Sequence, residues 1–167
     1  MPLSSLTENK RRKYAHLIAA LSICQIAGII GSLFTTPAIP TWYQTLQKPS
    51  IAPPNWIFGP VWTTLYLLMG ISLYLISKTG LGSTNTRKSL VTFSIQLVLN
   101  VLWSYLFFGL RSPMLGLVEI IAMWVAILTT MVFFSKVSRA AALLLVPYLL
   151  WVSFASYLNY LIMMLNP

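Results

Sequence analysis

The chain has 167 residues, of which 57% are hydrophobic and only 8% are charged. A soluble domain carries roughly 25% charged residues, so this composition excludes a water-facing globular surface and indicates an integral membrane protein. Eleven Lys and Arg against two acids give a formal charge of +9, and the basic residues stand at the ends of apolar runs. Charges in such places set topology and contact anionic lipid, so membrane lipid is an expected partner and nucleic acid is not.

Residues 1–15 form a polar tail that ends in the basic run Lys10-Arg11-Arg12-Lys13. A basic start before an apolar stretch is also typical of a signal peptide. The stretch from His16 to Phe34 is longer than the apolar region of such a peptide, and no small-residue cleavage site follows it. We therefore predict an uncleaved first span behind a cytoplasmic tail, with residues 16–167 as a single membrane domain.

Crossing the hydrocarbon core takes about 20 apolar residues. The sequence holds five such segments, at about 16–36, 57–77, 90–109, 114–134 and 140–164. Nine of the eleven basic residues fall on one side of these segments, leaving Lys48 and Arg111 on the other. This bias predicts an all-α bundle of five transmembrane helices with a cytoplasmic N-terminus, in a plasma membrane.

In the first span, Ala20, Cys24, Gly28 and Ser32 recur every four residues. Small residues at this spacing let helix backbones approach closely. We interpret the pattern as packing within the bundle, although a homodimer interface remains an alternative.

Residues 42–66 combine prolines with large rings. Pro49, Pro53, Pro54 and Pro60 should interrupt any continuous helix there. Two interpretations stay open for the rings around them: a belt at the membrane interface, or a structured lid over a pocket between helices. The rings are Trp42, Tyr43, Trp56, Phe58, Trp62 and Tyr66.

Polar side chains inside spans are costly and usually face the bundle interior; here they are Gln25, Gln96, Asn100, Glu119 and Asn159. Helical spacing places Gln96, Asn100, Trp103 and Phe107 on one face of the third span. Trp151, Ala155 and Leu158 share a face of the fifth span, which Pro147 should kink or loosen. Flat rings beside an amide suit a flat, mostly apolar ligand, and ordinary helix packing is the alternative.

Other chemistry finds little support in the sequence. His16 is the single histidine and precedes the first span, and no Cys, His and carboxylate cluster accompanies it, so we expect no metal site. Glu119 lacks a second carboxylate for acid–base catalysis, which favours a structural role. Neither a phosphate-binding glycine loop nor a nucleophile elbow is present.

Four motifs carry a resemblance to a known family. They are Trp42-Tyr43-x-x-Leu46-x-Lys48-Pro49-x-x-x-Pro53-Pro54-x-Trp56, then Pro60-Val61-Trp62-x-x-Leu65-Tyr66, then Leu99-Asn100-x-x-Trp103-x-x-x-Phe107-Phe108, and last Pro147-Tyr148-x-x-Trp151-x-x-Phe154-Ala155-x-x-Leu158-Asn159. With these motifs in this order, the chain resembles the translocator protein / tryptophan-rich sensory protein family, also called the peripheral benzodiazepine receptor family.

The resemblance implies a five-helix bundle with a ligand pocket that opens toward the loop between the first two helices. Its ligand would be a porphyrin or another tetrapyrrole, with no cofactor required. Carried over by motif, the pocket residues would be Tyr43, Trp56, Trp62, Asn100, Trp103, Phe107, Trp151, Ala155 and Leu158.

The implied role is sensing, sequestration or trafficking of tetrapyrroles in a stress response. The alternatives are a light-dependent enzyme that degrades porphyrin through Trp62 and Trp151, or a transporter of tetrapyrroles or apolar metabolites. Two departures from the family pattern stand out. Ile51 occupies a position where the family usually has Trp, and no basic residue follows Leu158-Asn159-Tyr160 to complete a cholesterol-recognition pattern.

Overall fold

The computed structural model describes the backbone of residues 3–80 and 82–167. The side chains of residues 3–10 and 12 also lie outside the described part; among them are Glu8, Lys10 and Arg12 of the predicted tail.

Helices account for nearly all of the described chain. Helix α1 (Leu3–Ala38) continues into a first π-helical segment (Ile39–Tyr43), and α3 (Thr84–Ser104) continues into a second (Tyr105–Gly109). The other helices are α2 (Asn55–Ser77), α4 (Pro113–Ser135), α5 (Arg139–Leu144) and α6 (Val146–Leu165). Helix α1 therefore begins within the stretch that we assigned to the polar tail.

Five helical stretches in the described residues are long and apolar enough to cross a membrane. They run over Lys13–Tyr43, Asn55–Ser77, Thr84–Gly109, Pro113–Ser135 and Arg139–Leu165. The prediction of an all-α, five-span bundle is confirmed, and the chain is an integral, multi-pass membrane protein.

Serine and proline residues fix several helix boundaries. The hydroxyls of Ser83, Ser112 and Ser138 accept hydrogen bonds from backbone N–H groups in the first turns of α3, α4 and α5. Pro147 lies in the first turn of α6, and the helix of the fifth span is interrupted beside it at Leu145, in line with the predicted kink or loosening. Pro60 lies inside α2, and the prediction that it interrupts the helix is wrong. The helix continues through Pro60 at the cost of the one hydrogen bond that its nitrogen cannot donate.

The helices pack so that both ends of the bundle can be told apart. The ammonium groups of Lys88 and Lys136 approach the ring of Phe133 at 6.0 and 5.2 Å, so the α2–α3 and α4–α5 connections share one end. We call the opposite end, where α1 ends and α2 begins, the outer end. Between the ends, Phe93 stacks on Phe134 at 5.7 Å and joins α3 to α4.

Close approach between α1 and α2 depends on Gly28. A Cβ atom at this position would lie 2.6 Å from the ring of Tyr66. The small-residue spacing in the first span is therefore used inside the bundle, where Ala20 and Cys24 are also buried.

Candidate ligand pocket

A cavity of about 470 Å³ lies in the outer half of the bundle. Helices α1, α2, α3 and α6 and both π-helical segments contribute to its wall. The lining residues are Gln25, Gly28, Ile29, Gly31, Ser32, Thr35, Thr36, Ile39, Tyr43, Asn55, Trp56, Phe58, Gly59, Trp62, Thr63, Tyr66, Asn100, Trp103, Ser104, Phe107, Phe108, Ala155, Leu158, Asn159 and Ile162.

The deep end of the cavity is closed by a chain of buried hydrogen bonds. The Tyr66 hydroxyl donates to Oδ1 of Asn100, and Nδ2 of Asn100 donates to the Tyr148 hydroxyl at 2.8 Å. Tyr148 in turn donates to the sulfur of Met123 at 3.5 Å. All four side chains are buried, so this chain ties α2, α3, α4 and α6 together directly under the cavity.

Aromatic rings form much of the wall. Trp103 stacks on Phe107 at 5.1 Å with an interplanar angle of 18°, and Trp62 lies 5.6 Å from Tyr66. Asn159 fixes one of these rings, since its Oδ1 accepts from the Trp103 indole at 3.3 Å while its Nδ2 donates to the Pro113 carbonyl at 2.7 Å. The wall therefore presents flat apolar faces that hydrogen bonds hold in place.

At the outer end, the two π-helical segments face each other. Trp42 meets Phe107 edge-on at 5.5 Å, and Tyr43 lies 5.6 Å from Phe108. Tyr43 is only 4% exposed, whereas Trp56 is 73% exposed. Tyr43 therefore packs over the cavity, whereas the Trp56 ring is largely exposed although it also belongs to the lining.

Eight of the nine residues predicted for the pocket line this cavity: Tyr43, Trp56, Trp62, Asn100, Trp103, Phe107, Ala155 and Leu158. Trp151 lies beside it instead, with its ring 6.0 Å from Phe58 and 5.6 Å from Phe154. Trp151 thus contacts Phe58, which is a lining residue, and the Trp151 indole nitrogen is buried without a hydrogen-bond partner in the described part of the chain.

Sequence reasoning missed the share of the cavity that α1 provides. Gly28, Ser32 and Thr35 line it, although the four-residue spacing suggested packing alone. Gln25 carried a usable signal, because it is an amide within an apolar span; its Nε2 donates to the Thr63 carbonyl at 3.3 Å across the α1–α2 seam. The π-helical segments were also missed. Such segments are often found at functional sites.

Two polar side chains of the spans lie buried elsewhere. Within the described residues, neither the amide of Gln96 nor the carboxyl group of Glu119 has a hydrogen-bond partner. Both side chains are buried, at 1% and 6% exposure, and neither belongs to the cavity lining. The lining itself holds rings, hydroxyls and amides and, across the described positions, no charged side chain. It can bind a flat apolar molecule with a few polar edges.

Comparison with known proteins agrees with this architecture. The model of the TspO/MBR family matches residues 20–165. The tryptophan-rich protein TspO of Chlorobaculum tepidum is 48% identical over 90% of this chain and 96% of its own length. The human translocator protein is 43% identical over 78% of each chain, and the tryptophan-rich sensory protein of Cereibacter sphaeroides is 31% identical over 92% of each. The chain belongs to the TspO/MBR family of membrane proteins.

Proposed function

We propose that this protein is a membrane receptor that binds a porphyrin or a related tetrapyrrole in the cavity, for sensing, sequestration or trafficking. Membership of the TspO/MBR family supports the receptor-like role. The observation that carries the proposal is the ring-walled cavity of about 470 Å³. We place the protein in a plasma membrane, following the distribution of its basic residues.

The shape and chemistry of the cavity favour a large flat ligand. Its volume falls within the range of about 300–1,000 Å³ that is typical of small-molecule sites. The stacked pair of Trp103 and Phe107 offers a flat face, and Trp62 offers a second ring on another helix. Aromatic faces in offset or edge contact stabilise a bound aromatic ring by about 0.5–1.5 kcal/mol each beyond the area that they bury. A tetrapyrrole is large enough to meet both.

A titration of the purified protein with protoporphyrin IX in the dark tests the proposal. Saturable quenching of tryptophan fluorescence is expected, with an affinity that falls about tenfold or more in Trp62→Ala, because a ring of the wall is lost. Trp124→Ala is the matched control, since the Trp124 indole donates to Ser153 and lies outside the cavity lining. Equal weakening in both variants, or no saturable binding by the wild type, would contradict the proposal.

Light-dependent degradation of porphyrin is the second candidate. It is favoured by the position of Trp62, whose indole faces the cavity and would contact a bound ring. A photoexcited porphyrin converts dioxygen into singlet oxygen, and addition of both of its oxygen atoms across a methine bridge of the porphyrin held against Trp62 would open the ring and leave two carbonyl groups. Illumination of the complex should then give a new absorbing product that depends on Trp62. An unchanged porphyrin spectrum over time in light would leave binding alone.

A further inference from the structure

We propose that Lys48 binds a carboxylate group of the ligand at the outer rim of the cavity, and that Asn166 holds the segment around Lys48 in place. The proposal rests on the proposed function and names the ligand class more closely: a tetrapyrrole with free acidic side chains at one edge.

The cavity cannot neutralise a carboxylate internally. None of its described lining residues carries a charge. Burying an unpaired carboxylate costs several kcal/mol, and a ligand avoids this cost when its acidic edge points out of the apolar space. An acidic tetrapyrrole should therefore lie with its carboxylates toward the outer end, beyond the rings of the wall.

Lys48 lies at that end. Its ammonium group stands 4.4 Å from the ring centre of Tyr43, which is itself a lining residue. The lysine side chain is half-buried, so it is held near the rim rather than extended into water. Glu119 is the one acid whose side chain is described, and it is buried within the span of α4. Apart from its contact with the Tyr43 ring, the ammonium group makes no hydrogen bond or ion pair within the described residues, so its donors remain for a ligand.

Asn166 fixes the backbone next to Lys48. Its Oδ1 accepts a hydrogen bond from the N–H of Gln47 at 2.9 Å, and its Nδ2 donates to the Gln47 carbonyl at 2.9 Å. The same nitrogen donates to the Ile162 carbonyl at 2.8 Å. The Asn166 amide at the end of α6 thus binds the backbone N–H and carbonyl of Gln47, the residue before Lys48. This contact fixes the direction in which the lysine side chain extends from the backbone.

The test compares protoporphyrin IX with its dimethyl ester, in the dark, on four variants in the full chain. Lys48→Gln should weaken binding of the diacid about three- to tenfold. This range lies between the small effect of losing an exposed ion pair and the larger effect of losing a buried, charge-assisted hydrogen bond. Binding of the dimethyl ester should be unchanged. That unchanged ester binding shows that Lys48→Gln folds, and Lys48→Arg, which keeps the positive charge, should retain binding of the diacid. Lys78→Gln is the matched control, because its ammonium group also lies over a tyrosine ring, 5.7 Å from the centre of Tyr74 and at the other end of the bundle.

Asn166→Ala tests the contact with Gln47. The diacid should bind about two- to fivefold more weakly, since a freed loop holds the lysine less often at the rim, with the dimethyl ester again unaffected. Unchanged diacid affinity in this variant would overturn the positioning role of Asn166.

The remaining outcomes separate this inference from the proposed function. Equal loss of both ligands in Lys48→Gln, or loss of neither, would overturn the carboxylate contact while leaving tetrapyrrole binding in place. Salt provides a second test of the carboxylate contact. The affinity for the diacid relative to that for the dimethyl ester should fall near 1 M salt, because the electrostatic screening length is then only about 3 Å. If the wild type binds neither molecule, the proposed function fails, and this inference fails with it.

Discussion

Asn100 is the residue whose replacement tests the floor of the cavity most directly. It is 2% exposed, accepts from the Tyr66 hydroxyl and donates to the Tyr148 hydroxyl. Asn100→Leu keeps a side chain of similar size and removes both hydrogen bonds, which strands the Tyr66 hydroxyl and partly strands the Tyr148 hydroxyl, whose remaining partner is the weakly accepting Met123 sulfur. Each stranded group costs about 1–3 kcal/mol. Hydrogen bonds between membrane helices contribute at the low end of this range of free energy, because the same polar groups find other partners in the unfolded protein. We expect a total loss of about 2–4 kcal/mol.

The free energy of unfolding can be measured by titrating the protein in mild detergent with a denaturing detergent, using circular dichroism. The decisive comparison is the triple variant with Asn100→Leu, Tyr66→Phe and Tyr148→Phe. This variant leaves none of the three side chains with an unpaired polar group, so it should regain most of the lost stability.

The order of stability is the diagnostic result. Wild type should be the most stable, the triple variant should lie close to it, and Asn100→Leu should be the least stable. If Tyr66→Phe and Tyr148→Phe each lower the stability further, the triple variant will be less stable than Asn100→Leu. The two hydroxyls would then contribute independently of Asn100. The account of a connected floor would then be wrong.

Two further predictions follow from the packing. In Gly28→Ala the new Cβ atom would lie 2.6 Å from the Tyr66 ring and should push that ring into the cavity. Protoporphyrin binding, measured by fluorescence titration, should therefore weaken. Gly82→Ala is the control, because a Cβ atom at that position meets open space. Glu119→Met should leave the thermal unfolding midpoint unchanged or raise it by a few degrees, because a buried carboxyl group without a described partner is replaced by an apolar chain of similar size. A drop of several degrees would show that Glu119 has a stabilising partner.

The helices of this fold follow from simple features of the sequence. Long apolar runs gave the five spans, and their starts fell within a few residues of the observed ones for the second, fourth and fifth spans, where Asn55, Pro113 and Arg139 begin the helices. Pro147 gave the break before α6. These features are local, because a span depends on its own hydropathy and a break on its own proline.

The placement of side chains around the cavity depended on packing that spacing alone does not contain. Helical spacing put Trp151 on one face with Ala155 and Leu158, yet its ring lies against Phe58 while the other two line the space. A helical face is broad, and a large ring at its edge turns toward whichever neighbour offers contact. The first π-helical segment includes Pro40, which lacks a backbone N–H, but a proline signals a disturbance without specifying its form.

Polarity inside a span was the most ambiguous signal in this sequence. Asn100 and Gln96 share a face of α3, but only Asn100 lines the cavity. The difference lies in the ring that stands one turn away from each amide along the helix. Asn100 is followed by Trp103, whose ring stacks toward the outer end, whereas Gln96 follows Phe93, whose ring packs flat on Phe134 and fills the interior. Space for a ligand therefore exists where large rings stand apart across the bundle, and an amide marks a site only beside rings of that kind.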